Sequence, residues 1–281
     1  MPGTLFVVAT PIGNLDDVTA RALRVLREVD VIAAEDTRRT SHLLTRYAIT
    51  TPTTSLHEHN EQKKTATLLA RLGAGGSIAL VSDAGTPTVS DPGQRLIQAA
   101  VAAGVRVEPI PGPSAILATL AASGFPADSF LFLGFPPTRS KDRKKWFERV
   151  KAIRGTIVFF EAPHRIHDTL HEFEREFGDC EVAVGRELTK VHEELVRGPI
   201  KWVLGRLKEE RGEFTVVVNI GQITEITAAR GESLDLIVGE FGEITKITGM
   251  TRRKAINVVA RKHGLTPNRV YEILEDHKKS G

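Results

Sequence analysis

Short apolar runs alternate with longer amphipathic stretches through the first 220 residues of the chain. Runs such as LFVVA and IALV lack polar alternation, which is typical of parallel strands that helices cover on both faces. The pattern predicts strands over Leu5–Ala9, Val31–Ala34, Ser77–Val81, Val105–Ile110, Leu131–Leu133, Thr156–Phe160, Glu181–Gly185 and Phe214–Ile220. It predicts helices over Val18–Val29, Thr37–Tyr47, Thr65–Leu72 and Gln94–Ala103. The body of the chain is therefore predicted to be an α/β fold.

Proline and glycine at Pro111-Gly112-Pro113 interrupt this series, and a second set of strands and helices follows. Such punctuation is typical of a loop rather than of a helix or strand interior. We therefore predict an N-terminal α/β domain over residues 1–112 and a second α/β domain over residues 113–230.

The last fifty residues lack strand-like runs and predict a small all-helical domain over residues 231–281. Predicted helices cover Leu234–Phe241, Arg252–Lys262 and Pro267–His277. A turn at His263-Gly264-Leu265, an N-cap residue at Thr266 and a proline at the next position favour a helix-turn-helix. Its predicted core is Ala255, Val258, Val259, Leu265, Val270, Ile273 and Leu274. A helical cap or a dimerisation module is the alternative interpretation.

Composition excludes several classes of protein. The chain has 281 residues, which is long enough for about two globular domains. Of these residues 41% are hydrophobic and 26% are charged, proportions that exclude a disordered chain. No apolar run approaches the roughly 20 residues that span a bilayer, and the start lacks the basic segment of a signal peptide. One cysteine, Cys180, excludes an intrachain disulfide and a cysteine-cluster metal site. We expect a cytosolic protein without a membrane partner.

The net charge of +3 is concentrated in two segments. Residues 139–154 carry eight basic and two acidic side chains, and residues 251–281 carry eight and three. Clustered Lys and Arg attract phosphates and release counterions, so the two patches favour a polyanionic partner. Solvated helix faces are the alternative explanation for each patch.

Glycine and proline are concentrated just after three predicted strands, at residues 10–15, 82–93 and 111–115. In α/β proteins ligands bind at the carboxyl ends of strands, and glycine allows the backbone to approach a ligand closely. These loops predict a crevice for a flat, polar cofactor. The sequence contains no dinucleotide-binding glycine motif, P-loop, nucleophile elbow or HExxH motif, and His57, His59 and His192 lack metal-ligand spacing, so no metal site is predicted.

Seven segments together resemble the tetrapyrrole methylase superfamily and, more closely, its ribosomal branch. They are ATPIGNL, AEDTRRT, LHEHNEQ, SDAGTPTVSDPG, PGPSA, EAPHR and GRELTKVHEE, in order over about residues 4–220. The resemblance implies two αβα domains with S-adenosyl-L-methionine in the cleft between them, in a homodimer. It implies methyl transfer to the ribose 2′-hydroxyl of a cytidine in 16S ribosomal RNA, so that the small ribosomal subunit is the partner. The C-terminal domain is then an RNA-binding extension.

The resemblance also assigns cofactor-binding residues, which come from both α/β domains. They are Pro11, Ile12, Gly13, Asp83, Gly85, Thr86, Pro87, Ser114, Ala115, Phe160, Glu161, Ala162, Glu213, Phe214 and Thr215.

Catalysis requires a group that accepts the proton of the ribose hydroxyl as the methyl is transferred. Lys190 is the preferred candidate, because a lysine whose pKa is depressed by desolvation can accept a proton. A surface lysine paired with Glu187 or Glu193 is the alternative. Glu35 and Glu187 are the other catalytic candidates, whereas Asp36 can instead cap the following helix.

The side chains predicted to contact RNA are those of basic residues, together with His57 and Asn60 from one loop. They are Arg38, Arg39, His57, Asn60, Lys141, Arg143, Lys144, Lys145, Arg165, Arg186, Arg252, Arg253, Lys254 and Arg269. Structural roles remain open for four of them: a helix cap for Asn60, a salt bridge for Arg165, and ion pairs with the carboxylates of Glu35 and Asp36 for Arg38 and Arg39.

Two other functions remain open at this stage. One is a methyltransferase for a tetrapyrrole or another small acceptor, although a small acceptor does not need the basic patches. The other is a non-catalytic nucleic-acid-binding regulator.

Overall fold

The computed structural model describes residues 2–207, 211–220, 237–245 and 250–262, together with residues 267, 270, 271, 273, 274 and 277. The chain forms two compact units, Met1–Asn219 and Ile220–Gly281. The first unit holds two five-stranded sheets, which we call the first and second lobes. The domain boundaries at 112 and 230 stay predictions.

The first lobe is a parallel sheet with strand order β3-β2-β4-β1-β5. Its strands are β1 (Thr4–Val8), β2 (Val31–Ala34), β3 (Thr53–Ser55), β4 (Ile78–Val81) and β5 (Arg106–Ile110). Its helices are α1 (Ala20–Glu28), α2 (Thr37–Arg46), α3 (Glu61–Gly73) and α4 (Gln94–Ala102). Every residue of β2 and β4 is buried, and separate apolar clusters cover the sheet's two faces. This burial explains why those strands are continuous apolar runs.

The second lobe is a mixed sheet with strand order β6-β7-β10-β8-β9. Its strands are β6 (Phe130–Phe132), β7 (Gly155–Glu161), β8 (Glu181–Arg186), β9 (Glu194–Pro199) and β10 (Phe214–Ile220). Its helices are α5 (Ala115–Ser123), α6 (Ser140–Lys151), α7 (Ile166–Phe177) and α8 (Ile200–Arg206). β6 is parallel to β7, whereas β8 is antiparallel to both β10 and β9. An α/β fold of two lobes is confirmed.

Aromatic side chains hold the basic helix α6 against the second sheet. Trp146 and Phe147 are both buried, and their rings lie 5.9 and 5.1 Å from the ring of Phe173 on α7. Such contacts add to the free energy gained by burying apolar area. These two aromatic residues of α6 are therefore part of the core and are not available to stack on bases.

Short polar side chains fix where the helices begin. Asp36 caps α2, because its carboxylate accepts a hydrogen bond from Arg38 N at 2.8 Å. The capping role considered for Asp36 is confirmed. Asn60 occupies the N-cap position of α3 without a side-chain capping bond, and its amide instead contacts the loop before it, accepting from His57 N at 2.9 Å.

The edge strands β3 and β9 were not predicted from the sequence pattern. β3 reads TTS and β9 reads ELVRGP, and only one residue of the two is buried. Edge strands bury little apolar surface, so their sequences lack the apolar run that predicts a buried strand.

The described residues of the second unit beyond β10 are helical except Met250 and Thr251. Residues 237–245 form α9 and Arg252–Lys262 form α10, and residues 267, 270, 271, 273, 274 and 277 are also helical. The buried cluster contains Ile237, Ile256, Val259, Ala260, Val270, Ile273 and Leu274. Val258, which was predicted in this core, is 43% exposed, so that prediction was wrong. Leu234 and the predicted turn at 263–266 lie outside the described residues. Over the part of the chain that is described, no helix has the length and apolar character needed to cross a membrane.

Candidate functional site

Three loops meet at the carboxyl ends of the adjacent strands β4, β1 and β5. Thr10, after β1, and Gly85, after β4, exchange two backbone hydrogen bonds of 2.9 and 3.0 Å. The hydroxyl of Thr10 also donates to the carbonyl of Ser82 at 3.1 Å. The predicted convergence of the three loops is confirmed, and backbone hydrogen bonds connect the first two.

Two glycines in these loops are required by geometry. Gly85 has φ +77°, a conformation that side chains with a Cβ rarely adopt. A Cβ on Gly112 would lie 3.0 Å from the Cβ of Ala9, so the loop after β5 packs directly on the loop after β1. Gly85 is buried and fixes the turn, whereas Gly112 is exposed and leaves backbone at the edge of the sheet, where a ligand can approach it closely.

A cleft of about 900 Å³ lies between these loops and the second lobe. Clefts of roughly 300–1,000 Å³ with apolar walls and a few polar groups are typical of small-molecule sites. The first lobe contributes Val7, Ile12, Ala84, Gly85, Thr86, Val89, Ser90, Asp91, Pro109, Ile110, Pro111 and Gly112. Ser114–Leu117 at the start of α5 and residues of the second lobe complete the lining: Phe130, Phe132, Phe135, Phe160, Glu161, Ala162, Pro163, Leu188, Gly212, Glu213, Phe214 and Thr215.

An aromatic wall lines the second-lobe side of this cleft. The ring of Phe160 lies 5.0 Å from that of Phe132 and 5.4 Å from that of Phe135. Phe135 is 54% exposed, although large apolar side chains are usually buried. Phe130, which is 38% exposed, lines the cleft as well, and exposed apolar side chains grouped in this way mark ligand-binding grooves.

Most of the predicted cofactor residues lie together in the cleft. Those that line it are Ile12, Gly85, Thr86, Ser114, Ala115, Phe160, Glu161, Ala162, Glu213, Phe214 and Thr215. Pro11, Gly13, Asp83 and Pro87 do not line it, and Pro11 and Pro87 are buried beneath the loops. A Cβ on Gly13 would lie 2.6 Å from Cγ of Lys190, so Gly13 packs against a loop of the second lobe. The binding roles themselves stay predictions.

Lys190 is held by two carboxylates. Its Nζ donates to Glu187 at 3.0 Å and to Glu213 at 3.1 Å. Burial alone would lower the pKa of Lys190, but the hydrogen bonds to Glu187 and Glu213 outweigh burial and raise it. The expected depression of this pKa was therefore wrong, and the pairing with Glu187 that was considered as the alternative is confirmed.

Glu187 is correspondingly stabilised as a carboxylate. Burial works against ionisation, but the hydrogen bonds from Lys190 Nζ and Glu213 N lower the pKa of Glu187. Its backbone has φ +49°, and its side chain fills the space beside Gly212. Neither Glu187 nor Lys190 lines the cleft, whereas Leu188 between them does. The structure therefore favours a structural role for this ion pair.

Three carboxylates come together beside the ends of β2 and β4. Burial raises the pKa of Glu35, and Asp83 N donates to its Oε2 at 3.3 Å. Asp83 Oδ1 accepts from Asp36 N at 3.0 Å, and its Oδ2 lies 3.3 Å from Arg39. Asp91 lines the cleft, and its burial, together with the negative charge of Glu35, raises its pKa to about 6. We did not single out Asp91 from the sequence; the acidic residue within SDPG was its only signal.

Three of the predicted RNA-binding arginines are held by the protein itself. Arg165 Nε donates to Glu161 at 2.8 Å, Arg143 Nε donates to Glu172 at 2.6 Å, and Arg186 Nε donates to the carbonyl of Arg211 at 2.9 Å. Their side chains are only 16%, 14% and 11% exposed. The salt bridge considered for Arg165 is confirmed, and these internal bonds hold all three side chains against the protein.

The other predicted RNA contacts lie mostly at the surface. Arg38 is 89% exposed and pairs with Asp36, which confirms the ion pair considered as its alternative role. Arg39 is 68% exposed and pairs with Asp83. His57 and Asn60 are half-buried in the loop before α3. Exposed cations are Lys141, Lys144 and Lys145 on α6, and Arg252, Arg253 and Lys254 at the start of α10. Arg269 lies outside the described residues.

Metal ligands do not converge in the part of the chain that is described, where no three His, Cys, Asp or Glu side chains are arranged to hold an ion. The chemistry of the cleft is therefore argued from its carboxylates, its aromatic wall and its exposed backbone.

Solved structures share this fold at low sequence identity. A uroporphyrin-III C-methyltransferase from Thermus thermophilus complexed with S-adenosylhomocysteine is 18% identical, covers 80% of this chain and all of its own, and superposes with a TM-score of 0.55. A diphthine synthase is 16% identical, covers 81% of this chain and 95% of its own, and superposes with a TM-score of 0.61. At these identities the likeness shows the fold.

Closer relatives are named ribosomal RNA small subunit methyltransferase I. The protein of Halalkalibacterium halodurans is 42% identical over 96% of this chain and 94% of its own length. The protein of Escherichia coli O157:H7 is 40% identical over 96% of this chain and 94% of its own length. That of Thermotoga maritima is 45% identical over 77% of this chain and 98% of its own. The family profile of the tetrapyrrole (corrin/porphyrin) methylases matches residues 4–203. The chain therefore belongs to the tetrapyrrole methylase family, in the group that its ribosomal RNA small subunit methyltransferase relatives represent.

Proposed function

We propose that this protein transfers the methyl group of S-adenosyl-L-methionine to the ribose 2′-hydroxyl of a cytidine in 16S ribosomal RNA. The observation that carries the proposal is the near full-length similarity to relatives named ribosomal RNA small subunit methyltransferase I. The cleft between the lobes supplies a site of suitable size and chemistry.

The cleft fits the methyl donor. Its volume of about 900 Å³ leaves room for a nucleoside and an amino-acid group together with the acceptor ribose. Gly112 exposes backbone for polar contacts, the Ser114 hydroxyl lies at the same edge, and Phe160 offers an apolar surface to a purine. These residues would hold the donor, which supplies a methyl group already activated on a positively charged sulfur.

The main task left to the protein is alignment. Holding two reactants in attacking geometry supplies up to about 7–11 kcal/mol of a reaction barrier, provided that both are held rigidly. The hydrogen-bonded loops at Thr10 and Gly85 and the packed contact of Gly112 on Ala9 give the cleft rigid walls.

Exposed cations provide the contact with RNA. Lys141, Lys144 and Lys145 form an exposed set on α6, and Arg252, Arg253 and Lys254 form a second on α10. No acidic residue lies in the first turn of α10, where the helix dipole disfavours positive charge. This arrangement costs helix stability unless a polyanion binds there. RNA affinity is therefore expected to fall steeply with salt.

Deleting residues 234–281 is expected to weaken binding of small ribosomal subunits at least tenfold while leaving donor affinity within twofold of the intact chain. The first unit contains the entire cleft and is compact by itself. The Thermotoga maritima relative matches over 98% of its own length yet covers only 77% of this chain. Filter binding measures the first quantity and calorimetry the second; an equal loss of both would contradict this division of roles.

Replacing Phe135 with alanine is expected to raise KM for RNA about tenfold with little change in donor affinity. Base–aromatic stacking is worth about 1–3 kcal/mol per base, and Phe135 is the most exposed ring of the wall. Trp202→Ala is the matched control, since Trp202 is 46% exposed but does not line the cleft. Equal effects of the two substitutions on KM would show that the aromatic wall does not recognise the acceptor.

Tritium transfer from labelled donor tests the proposal against its two competitors. Incorporation into small ribosomal subunits but not into uroporphyrinogen is the expected result. Incorporation into uroporphyrinogen would favour a small-acceptor enzyme, and duplex-DNA binding without turnover would favour a regulator.

The proposed location is the cytoplasm, where small ribosomal subunits are found. The proposed oligomeric state is a homodimer, which analytical sedimentation checks.

A further inference from the structure

The loop between β4 and α4 holds its backbone in rarely populated conformations. Thr88 and Ser90 have φ +72° and +68°, although neither is glycine. Strained backbone of this kind persists where the surrounding structure imposes it and is concentrated at functional sites. Gly93 has φ +115°, and a Cβ there would lie 2.7 Å from a methyl group of Leu80, so only glycine fits. The strained positions flank Asp91.

A buried glutamate from another helix anchors this loop. Oε1 of Glu61, at the start of α3, accepts hydrogen bonds from Gly93 N at 3.1 Å and from Arg95 N at 2.9 Å. Glu61 is only 7% exposed, so these bonds are shielded from water. The carboxylate of Asp91 is thus presented to the cleft from a loop whose C-terminal end is held by Glu61.

Asp91 differs from the other carboxylates that line the cleft. Glu161 is engaged by Arg165 and Thr169, and Glu213 is engaged by Lys190. In the described part of the chain no cation lies within ion-pairing distance of Asp91. The Ser82 side chain lies beside it and opposes part of the rise in its pKa.

The charges that face Asp91 come from two neighbouring strand ends. Glu35 follows β2 and Asp83 follows β4, and both raise the pKa of Asp91 beyond the effect of burial, to about 6. Arg39 of α2 is paired with Asp83 at 3.3 Å and neutralises part of that charge. A group of this pKa is ionised at neutral pH and basic enough to accept a proton as a hydroxyl reacts. Lys190, held protonated by its two glutamates, is not suited to that role.

We propose that Asp91 is the catalytic residue that accepts the proton of the acceptor hydroxyl, an inference that rests on the proposed function. As the hydroxyl oxygen forms its bond to the methyl carbon, the sulfur–methyl bond breaks and its electron pair stays on sulfur. The O–H bond breaks at the same time, and the proton passes to an Oδ of Asp91. Water then takes the proton from the carboxylic acid and restores the carboxylate.

Asp91→Asn is expected to lower the single-turnover rate of methyl transfer to small ribosomal subunits by about 10²–10⁴-fold at saturating donor. The wild-type rate should rise with pH through about 6 and then level off, whereas the residual rate of the variant should lack that step. Donor affinity, measured by calorimetry, should stay within threefold. Asp128→Asn is the matched control, because Asp128 is exposed and does not line the cleft.

A second readout uses the protein alone. Because the folded state raises the pKa of Asp91, its ionised form opposes folding above about pH 6, and this penalty disappears as the pH falls toward the unfolded value of 3.8. Asp91→Asn should therefore raise Tm at pH 8, and the difference should shrink between pH 6 and pH 4. A purely structural aspartate would give a lower Tm at pH 8.

These measurements separate the possible failures. A variant rate within twofold of wild type, or a loss of donor affinity with an unchanged rate at saturation, would overturn the role of Asp91. A wild-type protein that binds the donor but methylates no RNA would instead overturn the proposed function.

Discussion

Replacing Glu161 with alanine is expected to lower the free energy of unfolding by about 3–5 kcal/mol, since removing one partner of a buried ion pair leaves the other charge uncompensated. Glu161 has a fully buried side chain at the end of β7. Its Oε1 accepts from Arg165 Nε and from Ala162 N, both at 2.8 Å, and its Oε2 accepts from Thr169 at 2.6 Å. Arg143 lies 4.0 Å away.

Denaturant unfolding measures this effect as a lower midpoint at unchanged slope. Glu148→Ala is the matched control, because Glu148 is 60% exposed and its pair with Lys151 lies at the surface. Exposed pairs contribute about 0–1 kcal/mol. Similar losses in the two variants would contradict the structural importance of the Glu161 network.

Replacing Ala115 with tryptophan is expected to weaken donor binding at least 100-fold, which corresponds to about 2.7 kcal/mol. Ala115 is the first residue of α5, is half-buried, and lines the cleft between the lobes. A bicyclic ring at this position occupies the volume that we assign to the donor. The first-lobe sheet lies outside the altered region, so the fold is expected to persist.

The control for this prediction lies on the same helix. Ala121→Trp places the same ring at an exposed position that does not line the cleft. Calorimetric titration with S-adenosyl-L-methionine compares the two variants at matched Tm. Donor affinity of Ala115→Trp within threefold of the control would place the donor somewhere other than this cleft.

The first lobe could be predicted well because burial determines its sequence. β2 was predicted at its observed bounds, and every one of its residues is buried. The bounds of β10, in the second lobe, were also predicted for the same reason. The loops after β1, β4 and β5 could be placed together, since carboxyl ends of parallel strands share one edge of a sheet.

The edges of the fold and the details of the site could not be predicted in the same way. β9 is exposed along most of its length and carries charged residues, so no apolar run marked it. The partners of Arg143 and Arg165 are separated from the arginines in sequence or buried by the fold, and a basic patch alone does not reveal which cations are already paired.

Ionisation states were the hardest property to predict. Lys190 was expected to have a depressed pKa. Predicting the correct direction would have required knowing that two glutamates converge on its Nζ. Asp91 gained its distinctive environment from residues 8 and 56 positions away, Asp83 and Glu35. Such charges meet only when the sheet brings β2 and β4 together.

The most direct test of the central claim identifies the atom that receives the methyl group. Small ribosomal subunits not previously methylated by this protein are incubated with it and the donor, and the RNA is digested to nucleosides for mass spectrometry. The account predicts one new 2′-O-methylcytidine per subunit. A methyl group on a base atom, or none at all while the donor is bound, would contradict it.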